Sequence, residues 1–272
     1  MYSNSPFKRY FFAAMGLWIA FIGVFVYFFC SEGKEAAEIF GILTVSSLSF
    51  IFNIITILSS KFRKRRKIWA LIIYGFLFAS SLYEFMDMNI GITYLLFSVV
   101  LLLILDIFPI SSSLKYFNIG MLITLSGFLY FPVGIFILLF LVITILFYEE
   151  KVNISQYLAG VLVTIVLALE ITYLTDSFFY ITEWIDKLNV PEFHFKYQIP
   201  ILIILITILV YGWISQYSEN NIADSVEVAN IYSILVLYLL FWIIVYAFFM
   251  GDNYGLLIFV SLPVGMVISR SL

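Results

Sequence analysis

The chain has 272 residues, of which 64% are apolar, 20% aromatic and 11% charged, whereas an ordinary soluble domain is about 45–50% apolar and about 25% charged. No water-soluble fold of this length can bury so much apolar surface, so the composition indicates an integral membrane protein. The net charge of -3 argues against nucleic acid as a partner, and the single cysteine excludes an intramolecular disulfide and any multi-cysteine metal site.

The first predicted element is an apolar segment over residues 10–30, preceded by Lys8 and Arg9. It is long enough for a helix to cross about 30 Å of hydrocarbon and too long for the core of a signal peptide. No cleavage pattern of small residues follows it, so we expect it to be retained as the first span.

Seven further apolar segments of comparable character follow along the chain. They cover residues 39–58, 68–83, 90–110, 158–174, 199–214, 231–250 and 254–269. The sequence therefore predicts an all-α fold, a polytopic transmembrane helix bundle with about eight full spans in one membrane domain of residues 1–272.

The segment over 119–147 is too long for one upright helix and too short for two full crossings. Pro132 lies near its middle, between Gly127 and Gly134. Because proline removes a backbone hydrogen bond and disfavours helix at the residue before it, we expect a broken pair of short helices that returns to its side of entry. A single tilted crossing is the alternative, and counting basic residues does not separate the two.

Basic residues are concentrated in the loop between the second and third spans. Basic residues beside a span mark its cytoplasmic side, which also places the N-terminus in the cytoplasm, and they meet anionic lipid headgroups. The cluster consists of Lys61, Arg63, Lys64, Arg65, Arg66 and Lys67.

Residues 178–190 have apolar side chains at helical spacing, among them Phe178, Ile181, Ile185 and Leu188, with polar side chains opposite. This pattern is typical of a short amphipathic helix in the membrane interface, ended by Pro191. A packed loop helix is the alternative.

Polar groups at membrane depth are the default functional candidates because they are costly there unless paired or hydrated. Asp106, Glu170 and Asn53 qualify. Each also has a structural interpretation: the two carboxyl groups lie near the ends of their segments and reach the interface, and Asn53 joins helices by hydrogen bonds.

Glu32 and Glu35 lie with Glu38 in the first outer loop, where multi-pass glycosyltransferases that use lipid-linked sugars keep an acidic catalytic residue. A solvated loop is the structural alternative. A single histidine, His194, excludes a histidine-rich metal centre. No phosphate-binding loop or nucleophile elbow occurs, and we expect neither a metal nor a cofactor.

A resemblance to a known family is carried by Phe117-Asn118-Ile119-Gly120 and by Phe128 to Pro132. With Asn53, Gly160 and Leu262-Pro263, these motifs resemble an uncharacterised multi-pass membrane family of Bacteroidota-type Gram-negative bacteria, sometimes mislabelled as carotene monooxygenases. The resemblance covers about residues 40–272 and implies an inner-membrane location without supplying an activity. The oxygenase label fails on chemistry, because one histidine cannot build a four-histidine iron centre.

Three functions remain open from the sequence. The leading hypothesis is a non-catalytic or accessory component of cell-envelope assembly or secretion, with membrane lipids and other membrane proteins as partners. The alternatives are a glycosyltransferase-like enzyme using a polyprenyl-linked donor near Glu32 or Glu35, and a secondary transporter whose site joins the helix break at Pro132 to Asp106 or Glu170.

Overall fold

The computed structural model describes residues 15, 16, 18, 19, 22, 23 and 26 and the ranges 35–60, 62–81, 87–105, 114–148, 151–175, 195–216, 226–249 and 254–270. The seven residues near the N-terminus are helical, and the ranges hold nine α-helices and no strand. These are α1 (Ala36–Ser59), α2 (Lys64–Ser80), α3 (Met88–Ile104), α4 (Lys115–Leu129), α5 (Phe136–Phe147), α6 (Lys151–Leu174), α7 (Phe195–Gln216), α8 (Val226–Phe249) and α9 (Ser261–Ile268). Short 3-10 helices, Phe131–Ile135 and Tyr254–Val260, precede α5 and α9. The predicted all-α fold is confirmed for this part of the chain.

Three helices in the described part of the chain are long and apolar enough to cross a membrane, over Glu38–Ser59, Val152–Leu174 and Val226–Phe248. Shorter apolar helices cover Met88–Ile104, Pro132–Phe147, Ile199–Ser215 and Leu257–Ile268. Three is fewer than the eight full spans that the sequence predicts. The predicted segments end in different places from the helices: α3 stops at Ile104, and the last segment is divided between a 3-10 helix and α9.

Local side-chain chemistry explains several helix ends. Asp87 accepts a hydrogen bond from the backbone N–H of Asn89 at 2.9 Å and so caps the start of α3. After α1, the hydroxyl of Ser60 donates to the carbonyl oxygen of Ile57 at 2.6 Å. Such bonds satisfy backbone groups that a helix end leaves open, which matters most where lipid replaces water.

Helices α1 and α3 run in the same direction. Near the start of α1, a Cβ on Gly41 would meet the side chain of Met88 at the start of α3. Near the end of α1, Asn53 contacts Ser98 in the second half of α3. Helix α2 begins at Lys64, within the basic stretch, and runs back from the end of α1. We call the end of the bundle where α2 begins the basic end.

Residues 115–148 form a helical hairpin that opens toward the basic end. The hydroxyl of Tyr148 donates to the carbonyl oxygen of Ile104 at the end of α3. The ammonium group of Lys115 lies 5.3 Å from the ring centroid of Tyr116 and 5.2 Å from that of Tyr148, so the first and last residues of the hairpin meet. The chain therefore returns to the end of the bundle at which the hairpin starts.

The break itself lies at the 3-10 helix that contains Pro132. Before it, Tyr130 has an extended backbone, which ends α4. Gly127 and Gly134 then face each other across the turn, where a Cβ on Gly127 would lie 3.0 Å from the Cα of Gly134. The two glycines allow the arms of the hairpin to approach closely.

Helix α6 packs along α4 through a second pair of glycines. A Cβ on Gly120 would collide with the carbonyl oxygen of Tyr157, and one on Gly160 would collide with that of Phe117. Close approach of backbones at small residues is typical of helix pairs in membranes. The hydroxyl of Tyr157 then donates to the carbonyl oxygen of Ile137 at 2.6 Å and joins α6 to α5.

The last helices close the bundle on α2. In α9, a Cβ on Gly265 would lie 3.0 Å from the carbonyl oxygen of Ala70, so the two helices touch through backbone. At the basic end, the rings of Phe62 and Tyr232 stack with centroids 4.7 Å apart. The guanidinium of Arg270 lies 4.0 Å from the centroid of the Tyr232 ring. The start of α8 and Arg270, two residues after α9, therefore both lie at the basic end.

Candidate functional site

One group of buried polar side chains in the described interior is centred on Asn53. Its side-chain amide nitrogen lies within hydrogen-bond distance of the hydroxyls of Tyr74 at 3.2 Å and Tyr94 at 2.8 Å, and of Ser98 at 3.0 Å. The hydroxyl of Tyr94 is 3.1 Å from that of Ser261. We call these five residues the Asn53 cluster. They come from α1, α2, α3 and α9, so one cluster joins four helices.

Protons within the Asn53 cluster can be assigned from the acceptors. Ser98 donates to the carbonyl oxygen of Tyr94 at 2.9 Å, and Ser261 donates to that of Ile258 at 2.6 Å. Since Ser261 has used its only proton, Tyr94 is the donor in the bond between the two hydroxyls. Both serine protons therefore go to backbone carbonyl groups of the serines' own helical turns.

Aromatic rings surround this cluster and exclude water. Asn53 is 1% exposed and Tyr74 is fully buried. Phe50 stacks on Tyr74 at 5.7 Å, and Phe259 meets the ring of Tyr94 edge-on at 5.4 Å. The amide oxygen of Asn53 has no hydrogen-bond partner among the described residues. With neutral amide and hydroxyl groups only, the cluster can join helices but holds no carboxylate or imidazole for acid–base chemistry.

Trp18 extends this packing toward the N-terminal segment. Its indole N–H donates to the hydroxyl of Ser47 at 3.0 Å, and its ring stacks on Phe50 at 4.8 Å. Trp18 is only 2% exposed. Part of the first predicted span is thus helical and packed on α1 near the Asn53 cluster.

Glu170 lies elsewhere, on α6. Its side chain is exposed, and no described residue forms an ion pair or hydrogen bond with it. Helix α6 packs against α4 and α5, whereas the Asn53 cluster is built from α1, α2, α3 and α9. The structure therefore does not bring Asn53 and Glu170 together.

Of the other acidic candidates, only Glu35 lies among the described residues. Glu35 is exposed just before α1, at the end opposite the basic end, and its carbonyl oxygen accepts from the backbone N–H of Ile39 at 3.0 Å. Glu32, Asp106 and His194 lie outside the described residues, as does the predicted amphipathic helix over 178–190. In the part of the chain that is described, no three histidine, cysteine, aspartate or glutamate residues come together.

The residues of the basic cluster differ in how far they are exposed. Arg63 and Arg65 are exposed, whereas Arg66 is 5% exposed. The ammonium group of Lys67 donates to the carbonyl oxygen of Leu58 at 2.6 Å, and burial lowers the pKa of Lys67. Lys61 lies outside the described residues, and Lys64 begins α2.

Two further basic residues lie at this end, Arg270 and Lys115, which the broken-pair topology also places on the same side as residues 61–67. Arg270 is 4% exposed and Lys115 is 6% exposed, and both lie against tyrosine rings. Each is a single basic residue beside an apolar segment in the sequence. The fold adds the tyrosine rings, because it brings Tyr148 to Lys115 and Tyr232 to Arg270.

Comparison with known proteins gives one match. A family model described as "Family of unknown function (DUF6427)" matches residues 7–272. No curated protein and no solved structure matches the chain. The match covers nearly the whole sequence, including the helical hairpin and both glycine pairs.

Proposed function

We propose that this chain, which belongs to the DUF6427 family of unknown function, is a non-catalytic accessory subunit of a cell-envelope assembly or secretion machine in the inner membrane. The observation that carries the proposal is the separation of its polar groups. Asn53 is used in hydrogen bonds between helices, and Glu170 is exposed on a different helix. An enzyme or transporter needs such groups to converge on one substrate or ion.

The Asn53 cluster supports a structural role for the polar interior. Interhelical hydrogen bonds of this kind hold membrane helices in register. All five side chains are 3% exposed or less, so no water-filled path leads to them through the described residues. A transporter site built on the half-helices at Pro132 would need a polar group beside the break, and the side chain of Asn53 instead bonds to α2 and α3.

The proposed topology has eight full spans plus the hairpin over 115–148, with the basic end in the cytoplasm. It is supported by the direction of the helices: the end of α1, the end of α3 and the start of α8 share that end with Arg270. Positive residues beside spans favour the cytoplasm. The N-terminus, the loop after α7 and the C-terminus then all lie inside.

Cysteine labelling tests this topology, because Cys30 is the only cysteine. In a Cys30→Ser background, Glu35→Cys should react with a membrane-impermeant maleimide in intact spheroplasts, and Arg65→Cys should react only after permeabilisation. Both positions are exposed in the structure, so access is limited by the membrane alone. Equal labelling of Arg65→Cys in intact spheroplasts would contradict the proposed orientation.

The accessory role is tested by the size of the native assembly. A tagged chain produced from its own locus should migrate in mild detergent as an assembly that is clearly larger than the same chain overproduced alone. Overproduced chain exceeds the supply of its partner, so most of it should migrate without the partner. Identical migration at both levels would exclude a stoichiometric partner. In the same strain, the double variant Glu32→Gln/Glu35→Gln should complement deletion fully, whereas loss of envelope-glycan assembly would favour the enzyme.

A further inference from the structure

Helix α6 is much less covered than α1 and α8. Only 22% of the most apolar stretch of α6 is buried, against 50% for α1 and 50% for α8. Its buried side chains face α4 and α5, with Tyr157 and Gly160 fully inside. The side chains on the opposite face are mostly exposed.

The open face of α6 contains a seam with alternating spacings of three and four residues. Any single helix face offers such a spacing, which is the one that a neighbouring helix uses in left-handed packing. What distinguishes this seam is the pair of small residues, Ser155 and Ala159, four residues apart, which allow close approach of a second backbone. The exposed seam consists of Val152, Ser155, Ala159, Leu162, Val166, Leu169 and Tyr173.

Glu170 flanks the seam beside Leu169. It lies four residues before Leu174, about 6 Å along the axis from the end of α6. The apolar span Val152–Leu174 has 23 residues, which makes it about 34 Å long against a hydrocarbon core of about 30 Å. Centred in the bilayer, it places the Cα of Glu170 about 4 Å inside the hydrocarbon boundary. A carboxylate at this depth is stabilised by a cationic partner.

Helix α7 also has an exposed face, but that face has neither a pair of small residues like Ser155 and Ala159 nor a carboxylate. Its exposed side chains between Ile199 and Ile214 are mainly branched or aromatic, and none carries a charge. The hydroxyl of Thr207 is turned back to the carbonyl oxygen of Ile203 at 2.7 Å. This face is chemically suited to acyl chains.

We propose that the seam of α6 docks a transmembrane helix of another membrane protein, and that this helix carries a lysine or arginine opposite Glu170. The inference rests on the proposed function, in which the chain works as a subunit, and it assigns the contact surface. A second copy of this chain fits less well, since α6 has no basic residue between Val152 and Leu174 to pair with Glu170. Two copies packed through the seam would instead bring two carboxylates near each other.

The test uses the native-level assembly described above with full-length variants. Ala159→Trp places a large ring where the second backbone would approach α6, and Glu170→Gln removes the charge. We expect each to lower the ratio of assembled to free chain by about tenfold, the effect of losing about 1.4 kcal/mol. The conservative Glu170→Asp should retain assembly. Matched controls on α7, Ile203→Trp and Thr207→Gln, should assemble as the unchanged chain does.

The outcomes separate the two proposals. If the unchanged chain forms no larger assembly, the proposed function fails. If it assembles and both seam variants assemble equally well, the docking surface is wrong and the proposed function stands. A photo-reactive residue at Leu162 should give an adduct with another protein in intact cells, and the adduct should be lost in Ala159→Trp. An adduct of two copies of the chain, or no protein adduct because lipid covers the seam, would overturn the inference.

Discussion

Helices α1 and α6 make an instructive pair because they are equal in length and their most apolar stretches have the same mean hydropathy of 2.0. Each has 24 residues and one strongly polar side chain in its second half, Asn53 in α1 and Glu170 in α6. Half of the apolar stretch of α1 is buried, against 22% for α6. Asn53 bonds to neighbouring helices, and Glu170 is exposed. Hydropathy therefore shows that both helices are long and apolar enough to cross a membrane, but it does not indicate which polar group is structural.

The largest expected effect on stability concerns the face of α6 that packs against α4. Gly160→Ala places a methyl group against the carbonyl oxygen of Phe117 and the backbone nitrogen of Met121, so α4 and α6 must separate. We expect a loss of about 2–3 kcal/mol in the free energy of unfolding. Unfolding by sodium dodecyl sulfate in mixed micelles measures it.

The control for this change is Gly75→Ala in α2. Nothing lies within 4 Å of a Cβ at Gly75. Alanine should therefore leave stability unchanged or raise it by up to about 1 kcal/mol through helix propensity. Equal destabilisation at both positions would show that α6 is not held through its backbone contact with α4.

The next effect concerns the polar group of α1. Asn53→Leu removes the amide that lies near three hydroxyls, and we expect a loss of about 1–2 kcal/mol in the free energy of unfolding. Asn118→Leu is the matched control, because no described residue forms a hydrogen bond with the side chain of Asn118. A loss of similar size in both variants would indicate that the Asn53 cluster contributes nothing specific.

A smaller effect tests whether the Asn53 cluster acts as a unit. Tyr94→Phe keeps the ring against Phe259 and removes the hydroxyl shared by Asn53 and Ser261. We expect a loss of about 0.6–1 kcal/mol. When Tyr94→Phe is combined with Asn53→Leu, the loss of stability in the double variant should be smaller than the sum of the losses in the two single variants. Strict additivity in this double-mutant cycle would contradict a coupled cluster.

The smallest effect on folding is expected at Glu170. Glu170→Leu alters an exposed side chain without a described partner, so the free energy of unfolding of the isolated chain should change by less than about 0.5 kcal/mol. The same variant should reduce the native assembly, whereas Asn53→Leu should lower stability and leave the assembly of folded chain intact. If Glu170→Leu destabilised the isolated chain as much as Asn53→Leu does, α6 would not differ from α1 in the way proposed.

Local sequence features predicted much of this architecture. Apolar runs predicted helices because each helix satisfies its own backbone groups, which lipid cannot do. Pro132 with Gly127 and Gly134 predicted the helix break, and the break is there. Asn53 was predicted as a residue that joins helices or as a functional group, and its bonds to Tyr74 and Tyr94 favour the first.

Other features depend on contacts between distant parts of the chain. The partners of Asn53 come from α2 and α3, and Ser261 reaches the same place from α9. That Asp106 or Glu170 meets the Pro132 break stays a prediction. Asp106 lies outside the described residues, and Glu170 is exposed on α6. The return of the hairpin to the basic end is seen in the contact of Tyr148 with Ile104. The spacing of apolar residues along the sequence does not indicate this contact.

Composition and the spacing of apolar residues alone determined that the described part of the chain is helical, that it breaks at Pro132 and that six basic residues lie together within residues 61–67. Only the tertiary structure decided that Asn53 faces inward, that Glu170 faces outward and that Arg270 and Lys115 lie against tyrosine rings. The physical reason is that backbone hydrogen bonds in a helix are local. The choice of which face meets which neighbour depends on shape, at points such as Gly120 and Gly160, where two backbones can touch.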